Sequence, residues 1–208
     1  MNLYEKYLLP HFLNCACGSK PISHQRQKVV PLARGIVLEI GIGSGLNTSF
    51  YCHQAVNKII GLDPSTELQK MAASVAKEYR LPVEFILGSA EKIPLPDNSV
   101  DTVLVTYSLC TIKDIHAAIR EMHRLLKTDG SFIFCEHGLA PDSNIIKWQN
   151  RLDPWWGKIS GGCHLNRDIP QLIKSAGFNI NWLEQMYLPS MPKFAGYNYW
   201  GLATTNNG

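Results

Sequence analysis

Glycine recurs at every second position of one short segment, as Gly41, Gly43 and Gly45. The apolar residues 36–38 before it predict a buried strand, and the glycines predict a tight turn at the end of that strand. Glycine suits such a turn because it permits positive φ and lets a ligand approach the backbone amides. The segment therefore predicts a loop that cradles a nucleotide-like ligand, followed by a helix that begins at Asn47 or Thr48.

The spacing of these glycines excludes two common phosphate-binding loops. A dinucleotide fingerprint requires G-x-G-x-x-G, but the sixth position is leucine or threonine in either reading frame. A P-loop requires lysine after its last glycine, and Gly45 is followed by leucine. The remaining pattern is Glu-x-Gly-x-Gly-x-Gly, which starts at Glu39. A carboxylate in that position suits a ligand with an ammonium group better than a pyrophosphate.

A second acidic residue, Asp63, ends the next apolar run, residues 58–63. It follows the glycine loop by about 20 residues, the spacing at which a strand-helix-strand unit places a carboxylate on ribose hydroxyls. Asp63 also precedes Pro64 and Ser65, so capping of the next helix is the alternative role. The glycine loop in the same unit favours the ribose role.

Length and composition indicate one globular domain spanning residues 1–208, with 45% hydrophobic residues. The net charge of +3 and the lack of a lysine or arginine cluster argue against a nucleic-acid partner. No apolar run approaches the length of a bilayer span, and the N-terminus lacks a signal-peptide pattern. We therefore expect a cytoplasmic location; the sequence assigns no oligomeric state.

The six cysteines are scattered except for one C-x-C pair. A structural zinc site usually shows a second close pair, and a secreted disulfide scaffold is shorter and richer in cysteine. We therefore expect reduced thiols and no metal site. The cysteines are Cys15, Cys17, Cys52, Cys110, Cys135 and Cys163.

Helical and strand patterns alternate along the chain, which indicates an α/β fold. A helix is predicted over residues 65–79 with Ser65 as its cap, and a second from Asp114 to residue 126, with Gly130 as its C-terminal glycine. Strands are predicted over residues 83–87, 100–106 and 131–135.

Four segments resemble class I S-adenosylmethionine (SAM) dependent methyltransferases. They are the Glu-x-Gly-x-Gly-x-Gly loop, Asp63, residues 94–101, which match P-[FL]-x-D-x-[ST]-[FV]-D, and residues 125–130. The resemblance implies a Rossmann-like seven-stranded sheet, mostly parallel with an antiparallel C-terminal edge hairpin, and helices on both faces. Its last two strands are expected at residues 177–187 and 197–203.

The resemblance also implies SAM as cofactor and a small-molecule methyl acceptor. In the family, an aspartate often meets the adenine amine where this chain has Ser89, which leaves the Ser89 hydroxyl or the Ala90 backbone for that contact. The expected cofactor contacts are Glu39, Gly41, Gly43, Gly45, Asp63, Pro64, Ser89, Ala90, Glu91 and Tyr107.

A finer resemblance concerns three downstream segments, residues 109–111, Glu136-His137 and residues 162–165. Together they are similar to the methyltransferase-like protein 7 group, whose animal members are thiol S-methyltransferases. Those relatives carry an N-terminal membrane anchor; no such run is evident here, so we do not expect their membrane location. Thiols are the favoured acceptors, quinone-like or phospholipid acceptors the alternative, and SAM binding without catalysis a third reading.

Transfer to a thiol requires little assistance, since a thiol pKa of about 8.5 lies close to neutral pH. A histidine is well matched to accept that proton, and His137 and His164 are the two candidates. Either one could instead serve only as a hydrogen-bonded anchor. Cys110 and Cys163 either line the pocket or pack as small core residues.

Two further segments are assigned by position. Residues 1–30 carry an amphipathic pattern and are expected to form a lid over the cofactor cleft, with peripheral contact to a membrane surface as the alternative. Residues 141–168 form an insert on the acceptor side. Its Trp148, Trp155 and Trp156 are expected either to fill the core of a small cap or to stack on the acceptor.

Overall fold

Seven strands form one mixed sheet in the computed structural model, which describes residues 16–205. The strands are β1 (Gly35–Ile40), β2 (Val56–Asp63), β3 (Val83–Leu87), β4 (Val100–Thr106), β5 (Leu126–His137), β6 (Phe178–Tyr187) and β7 (Tyr197–Thr205). The helices are α1 (Lys20–Val29), α2 (Thr66–Glu78), α3 (Ile115–Leu125), α4 (Ser143–Ile159) and α5 (Ile169–Ser175). Short 3-10 turns cover Val30–Leu32 and Thr48–Phe50.

The strand order is β3-β2-β1-β4-β5-β7-β6. Strands β1 to β5 pair in parallel, whereas β7 is antiparallel to both β5 and β6. This confirms the predicted fold class, including the antiparallel C-terminal pair. The order reverses between β1 and β4, and in open α/β sheets ligands bind at such a switch point, beyond the carboxyl ends of the strands.

The sheet is covered on both faces by apolar side chains. Successive residues of β1 point to opposite faces, so Leu38 packs in the cluster under α3 and α5, and Val37 packs in the cluster under α1. Both are fully buried, as expected for a central parallel strand. The core thereby fixes β1, and with it the start of the glycine loop.

Two predicted helix starts are confirmed. The Ser65 hydroxyl accepts a hydrogen bond from the Leu68 amide at 3.3 Å, and the Asp114 carboxylate accepts one from the Ala117 amide at 2.9 Å. Each cap satisfies an amide that has no partner within its helix.

The prediction of a helix that begins at Asn47 or Thr48 is wrong, because only the 3-10 turn Thr48–Phe50 forms there. The segment between the glycine loop and β2 is rich in threonine, serine and aromatic residues, which have low helix propensity. The Asn47 side chain is also drawn into a buried hydrogen-bond network and caps no helix.

The role predicted for Gly130 is also wrong. Helix α3 ends at Leu125, and its last carbonyls accept hydrogen bonds from the amides of Asn98 and Ser99, at 3.0 and 2.9 Å. No left-handed glycine is needed there. Gly130 lies inside β5, where a Cβ atom would come within 2.6 Å of the Leu126 side chain.

Most of the predicted N-terminal lid, residues 1–15, lies outside the described residues. Its remainder contains α1, which packs on the sheet face opposite α3. Between residues 16 and 205, no helix has the length and apolar character needed to cross a bilayer.

Candidate active site

A cavity of about 1330 Å³ opens at the carboxyl ends of β1, β2, β4 and β5. Its walls come from the glycine loop, the turns after β2 and β3, the segment after β4, and the end of α4 with the loop that follows. Pockets for one small molecule typically have about 300 to 1000 Å³. This cavity therefore has room for two ligands side by side.

Gly41 and Gly43 line the cavity with positive φ angles of 66° and 55°. A Cβ atom on Gly41 would lie 2.3 Å from the Ser108 hydroxyl, so the close approach of β1 and the segment after β4 requires glycine. Gly45 does not line this cavity; it packs behind the loop, where a Cβ would lie 3.2 Å from Ala72 Cα.

Asp63 faces the cavity from the end of β2 and is 6% exposed. Its Oδ2 accepts a hydrogen bond from the Gly43 amide at 2.9 Å, and its Oδ1 accepts one from the Ser65 amide at 2.8 Å. Burial raises the pKa of Asp63, and these two hydrogen bonds act against that shift. The neighbouring Pro64 also lines the cavity, whereas the cap of α2 is Ser65 rather than Asp63.

Glu39 lies beneath the glycine loop and outside the cavity wall. Its carboxylate accepts hydrogen bonds from the Asn47 side-chain amide at 2.8 Å and from the Tyr51 hydroxyl at 2.6 Å. Burial raises the pKa of Glu39 to about 7, and the two hydrogen bonds oppose that rise. Through these two hydrogen bonds Glu39 holds the glycine loop from beneath.

Arg26, on α1, lines the cavity but belongs to none of the sequence motifs described above. Its Nη1 donates to Asn47 Oδ1 at 2.8 Å and to the Thr106 hydroxyl, and its guanidinium lies 5.1 Å from the Tyr107 ring centroid. Arg26 thus joins α1 to the glycine loop and to the end of β4. Sequence reasoning missed it because it stands in a polar segment without a recognisable pattern.

The turn after β3 contributes Ser89, Ala90 and Glu91 to the cavity wall. The Ser89 hydroxyl donates to the Glu91 carboxylate, and that carboxylate also accepts from the Asp114 amide at 3.2 Å. The Ser89 oxygen also accepts from the Glu91 amide at 3.3 Å, so its hydroxyl proton and one of its two lone pairs are used within the turn.

The opposite end of the cavity brings together Cys110, His137 and Cys163, which come from three separate segments. His137 Nε2 lies 3.1 Å from Cys163 Sγ, and the three donor atoms all lie within 4.8 Å of one another. The Cys110 thiol and then the His137 ring lower the pKa of Cys163, although burial opposes this. Burial disfavours a charged His137, but Cys163 and Glu136 together raise its pKa.

Glu136 holds the segment after β4 in place at this end. It is fully buried, and its Oε1 accepts hydrogen bonds from the Ser108 and Leu109 amides at 2.7 and 3.0 Å. Burial raises the pKa of Glu136 to about 7, and the two amides act in the opposite direction. Tyr107, which also lines the cavity, donates its hydroxyl proton to Asn198 at 3.2 Å.

His164, the second candidate base, does not reach the cavity wall. Its Nδ1 pairs with Asp153 Oδ2 at 2.8 Å, and its side chain is 44% exposed. The three tryptophans of the insert also differ in whether they line the cavity. Trp156 does, whereas Trp148 and Trp155 are 56% and 70% exposed. The latter two therefore do not fill a core.

Comparison with known proteins gives three findings. A family model described as a methyltransferase domain matches residues 38–134. Thiol S-methyltransferase TMT1B of Rattus norvegicus is 34% identical over 169 residues, covering 77% of this chain and 68% of the relative. The ubiquinone/menaquinone biosynthesis C-methyltransferase UbiE of Rubrivivax gelatinosus is 33% identical over 132 residues, covering 60% of this chain and 51% of the relative.

A solved structure has a similar fold. The crystal structure of a SAM-dependent methyltransferase, possibly a histamine N-methyltransferase, from Thermotoga maritima superimposes with a TM-score of 0.67. The alignment covers 98% of each chain at 18% identity, so it shows the fold alone.

Proposed function

The chain belongs to the class I SAM-dependent methyltransferases, and from that premise we propose that it methylates the sulfur of small, apolar thiols. The proposal adds the acceptor to an activity that the family already establishes. It draws support from the similarity to a thiol S-methyltransferase and from the side chains at the acceptor end of the cavity.

SAM is the cofactor of this enzyme, and the residues around the cavity fit it. Each Asp63 oxygen accepts one backbone amide, which leaves lone pairs on both oxygens for the two ribose hydroxyls. The backbone at Gly43 borders open space, since the nearest contact of a Cβ there would be the Gly41 carbonyl oxygen at 3.8 Å. We assign the ribose to Asp63, the methionine end to the glycine loop and Arg26 region, and the adenine to the turn at Ala90.

Bound SAM supplies a methyl group on a positively charged sulfur, which is already activated for transfer. The protein therefore contributes mainly by holding the acceptor in line with that methyl group. With the cofactor against Asp63 and the glycine loop, the remaining space extends toward Cys110, His137 and Cys163. We place the acceptor there.

The observation that carries the proposal is the position of His137 at this end of the cavity. Its ring is partly buried at the end of β5, and its Nε2 lies 3.1 Å from Cys163 Sγ. A thiol acceptor there has the His137–Cys163 pair, which together carries one unprotonated group, within reach for its proton, and an apolar wall that includes Ile112 and Trp156 for its substituent. His164 faces Asp153 and has no such access.

A quinone-like carbon acceptor is the second candidate. It is favoured by the similarity to UbiE, which covers 60% of this chain. Trp156, which lines the cavity, presents an aromatic surface to either acceptor.

The test is a methyl-transfer assay with labelled SAM and a panel of acceptors. The panel contains alkyl and aryl thiols, a demethylated quinone, phosphatidylethanolamine and a reaction without acceptor, with SAM binding measured by calorimetry. We expect transfer to the thiols. Transfer to the quinone alone, or tight SAM binding without transfer to any acceptor, would overturn the thiol assignment.

His137→Ala provides the matching variant. We expect turnover with a thiol to fall roughly 100-fold, the low end of the range for a general base, with SAM affinity unchanged. His116→Ala, at an exposed position of α3, is the control. His164→Ala should have a smaller effect than His137→Ala, because its ring is bound to Asp153 outside the cavity.

A further inference from the structure

We propose that Cys110, His137 and Cys163 form a binding site for one thiophilic divalent cation such as Zn²⁺, with its fourth coordination position open to the cavity. Two cysteine sulfurs and one imidazole nitrogen are the donor set of several catalytic zinc sites. Successive members of the three are 27 and 26 positions apart, so they do not have the close spacing of a metal-binding sequence motif. The fold brings them together.

The distances suit such an ion. With Zn–S near 2.3 Å and Zn–N near 2.0 Å, the donor atoms of a tetrahedral site with two sulfurs and one nitrogen lie about 3.5 to 3.8 Å apart. His137 Nε2 and Cys163 Sγ are 3.1 Å apart, and all three donors lie within 4.8 Å of one another. The donor atoms therefore already lie within about 1 Å of the separations that one tetrahedral ion requires.

The backbone around the three donors is held in place by hydrogen bonds. Glu136 fixes the segment that carries Cys110, as described above, and the His164 amide donates to the Cys110 carbonyl at 2.9 Å. Arg167 donates to the carbonyls of Leu109 and Ile112, which flank Cys110. A donor set held in this way loses little freedom when it binds an ion.

The open position faces the space that we assign to the acceptor, since all three donors line the cavity. This part of the inference rests on the proposed function. A thiol entering there replaces a water on the ion, its sulfur binds the ion as a thiolate, and its proton leaves to solvent. In the metal-bound protein, His137 is a ligand, and the ion takes over its role of favouring loss of that proton.

Cobalt(II) titration of the full chain, free of polyhistidine tag and reduced in metal-free buffer, tests the site directly. We expect one equivalent of Co²⁺ to produce the d–d bands of a tetrahedral complex and a thiolate-to-cobalt charge-transfer band, both bleached by Zn²⁺. Cys110→Ser and Cys163→Ser should each weaken binding at least 10-fold. Cys52→Ser, outside the cluster, is the matched control and should bind as the parent does.

Circular dichroism and SAM affinity show whether each variant is folded, and His137→Gln is a second route if a cysteine variant is not. Absence of the charge-transfer band, or equal binding by the Cys110→Ser, Cys163→Ser and control proteins, overturns the metal site. Both measurements are independent of methyl-transfer activity.

The open position has its own readout. Adding an alkyl thiol to the Co²⁺ protein should intensify the charge-transfer band, and an unchanged spectrum overturns the acceptor role of the ion. A spectral response without methyl transfer leaves the metal site standing and defeats the proposed function. If metal-free protein methylates thiols at the full rate, the proposed function is supported and the proposed role of the ion in catalysis is contradicted.

Discussion

The Asp63 carboxylate both holds the glycine loop, through the Gly43 amide, and faces the cavity, whereas Ser65 takes the helix-capping role. Asp63→Ala removes an acceptor for the ribose and the partner of the Gly43 amide. Hydrogen bonds to a charged group contribute about 1.5 to 3 kcal/mol, so we expect SAM affinity to fall roughly 10-fold to 100-fold. Calorimetric titration measures this loss.

Two variants bracket that result. Asp63→Asn keeps one carbonyl oxygen and should lose less affinity than Asp63→Ala, whereas Asp129→Ala, on the exposed part of β5, should bind SAM normally. Unchanged affinity in Asp63→Ala would remove the ribose assignment.

Glu39 predicts a pH dependence of stability. Its carboxyl group is protonated in both states below about pH 4.5, and ionised in both above about pH 7, the folded-state pKa. Between these values folding takes up a proton, so the free energy of unfolding falls as pH rises. It levels off above the folded-state pKa of about 7. Glu39→Gln keeps the shape without the charge, so its unfolding free energy relative to the parent should increase across this window.

Urea unfolding at about pH 5 and pH 8 measures that difference. Burial is the largest cause of the raised pKa, and each pKa unit corresponds to about 1.4 kcal/mol. At the higher pH we expect the unfolding free energy of Glu39→Gln, relative to the parent, to be larger than at the lower pH by an amount of that order. A difference between the two proteins that does not change with pH would show that Glu39 ionises as readily in the folded state as in water.

At the scale of elements, Gln149 ties α4 to the segment after β5 and to the loop before α5. This fully buried side chain accepts from the Ala140 amide and donates to the Gly138 and Leu165 carbonyls, each at 2.9 Å. Gln149→Ala leaves these buried groups without a partner, at a cost of about 1 to 3 kcal/mol for each unsatisfied group.

Chemical denaturation compares this variant with Gln171→Ala, at an exposed position of α5. We expect Gln149→Ala to lose at least about 2 kcal/mol of unfolding free energy, and Gln171→Ala to stay within about 0.5 kcal/mol of the parent. If the two variants are equally stable, α4 is not held by this side chain.

The elements that the sequence predicted well have local causes. Strands β3 and β4 match their predicted residues, and Ser65 and Asp114 cap helices as predicted, because strand patterns and caps depend on neighbouring residues. The helix end at Leu125 depends on amides about 26 residues away, and the Cys110, His137 and Cys163 cluster on the packing of three segments. Long-range contacts of this kind have no local pattern to read.

At the scale of the whole molecule, the cavity depends on nearly every part of the described chain. Its lining runs from Ala16, just before α1, to Asn198 on β7, and includes the ends of four parallel strands. A ligand bound there contacts segments that are distant in sequence and joined only by the fold. Binding should therefore stabilise the chain as a unit rather than one segment of it.

This leads to a prediction for thermal unfolding, since a single domain unfolds in one cooperative transition. SAM at about 100 times its dissociation constant should add about 2.7 kcal/mol and raise the midpoint by roughly 5 to 10 °C for a chain of this size. Differential scanning calorimetry with and without SAM measures this shift. Asp63→Ala at the same SAM concentration should show a smaller shift. Two transitions, of which SAM moves only one, would contradict the single-domain prediction and confine the cofactor site to the part of the chain that responds.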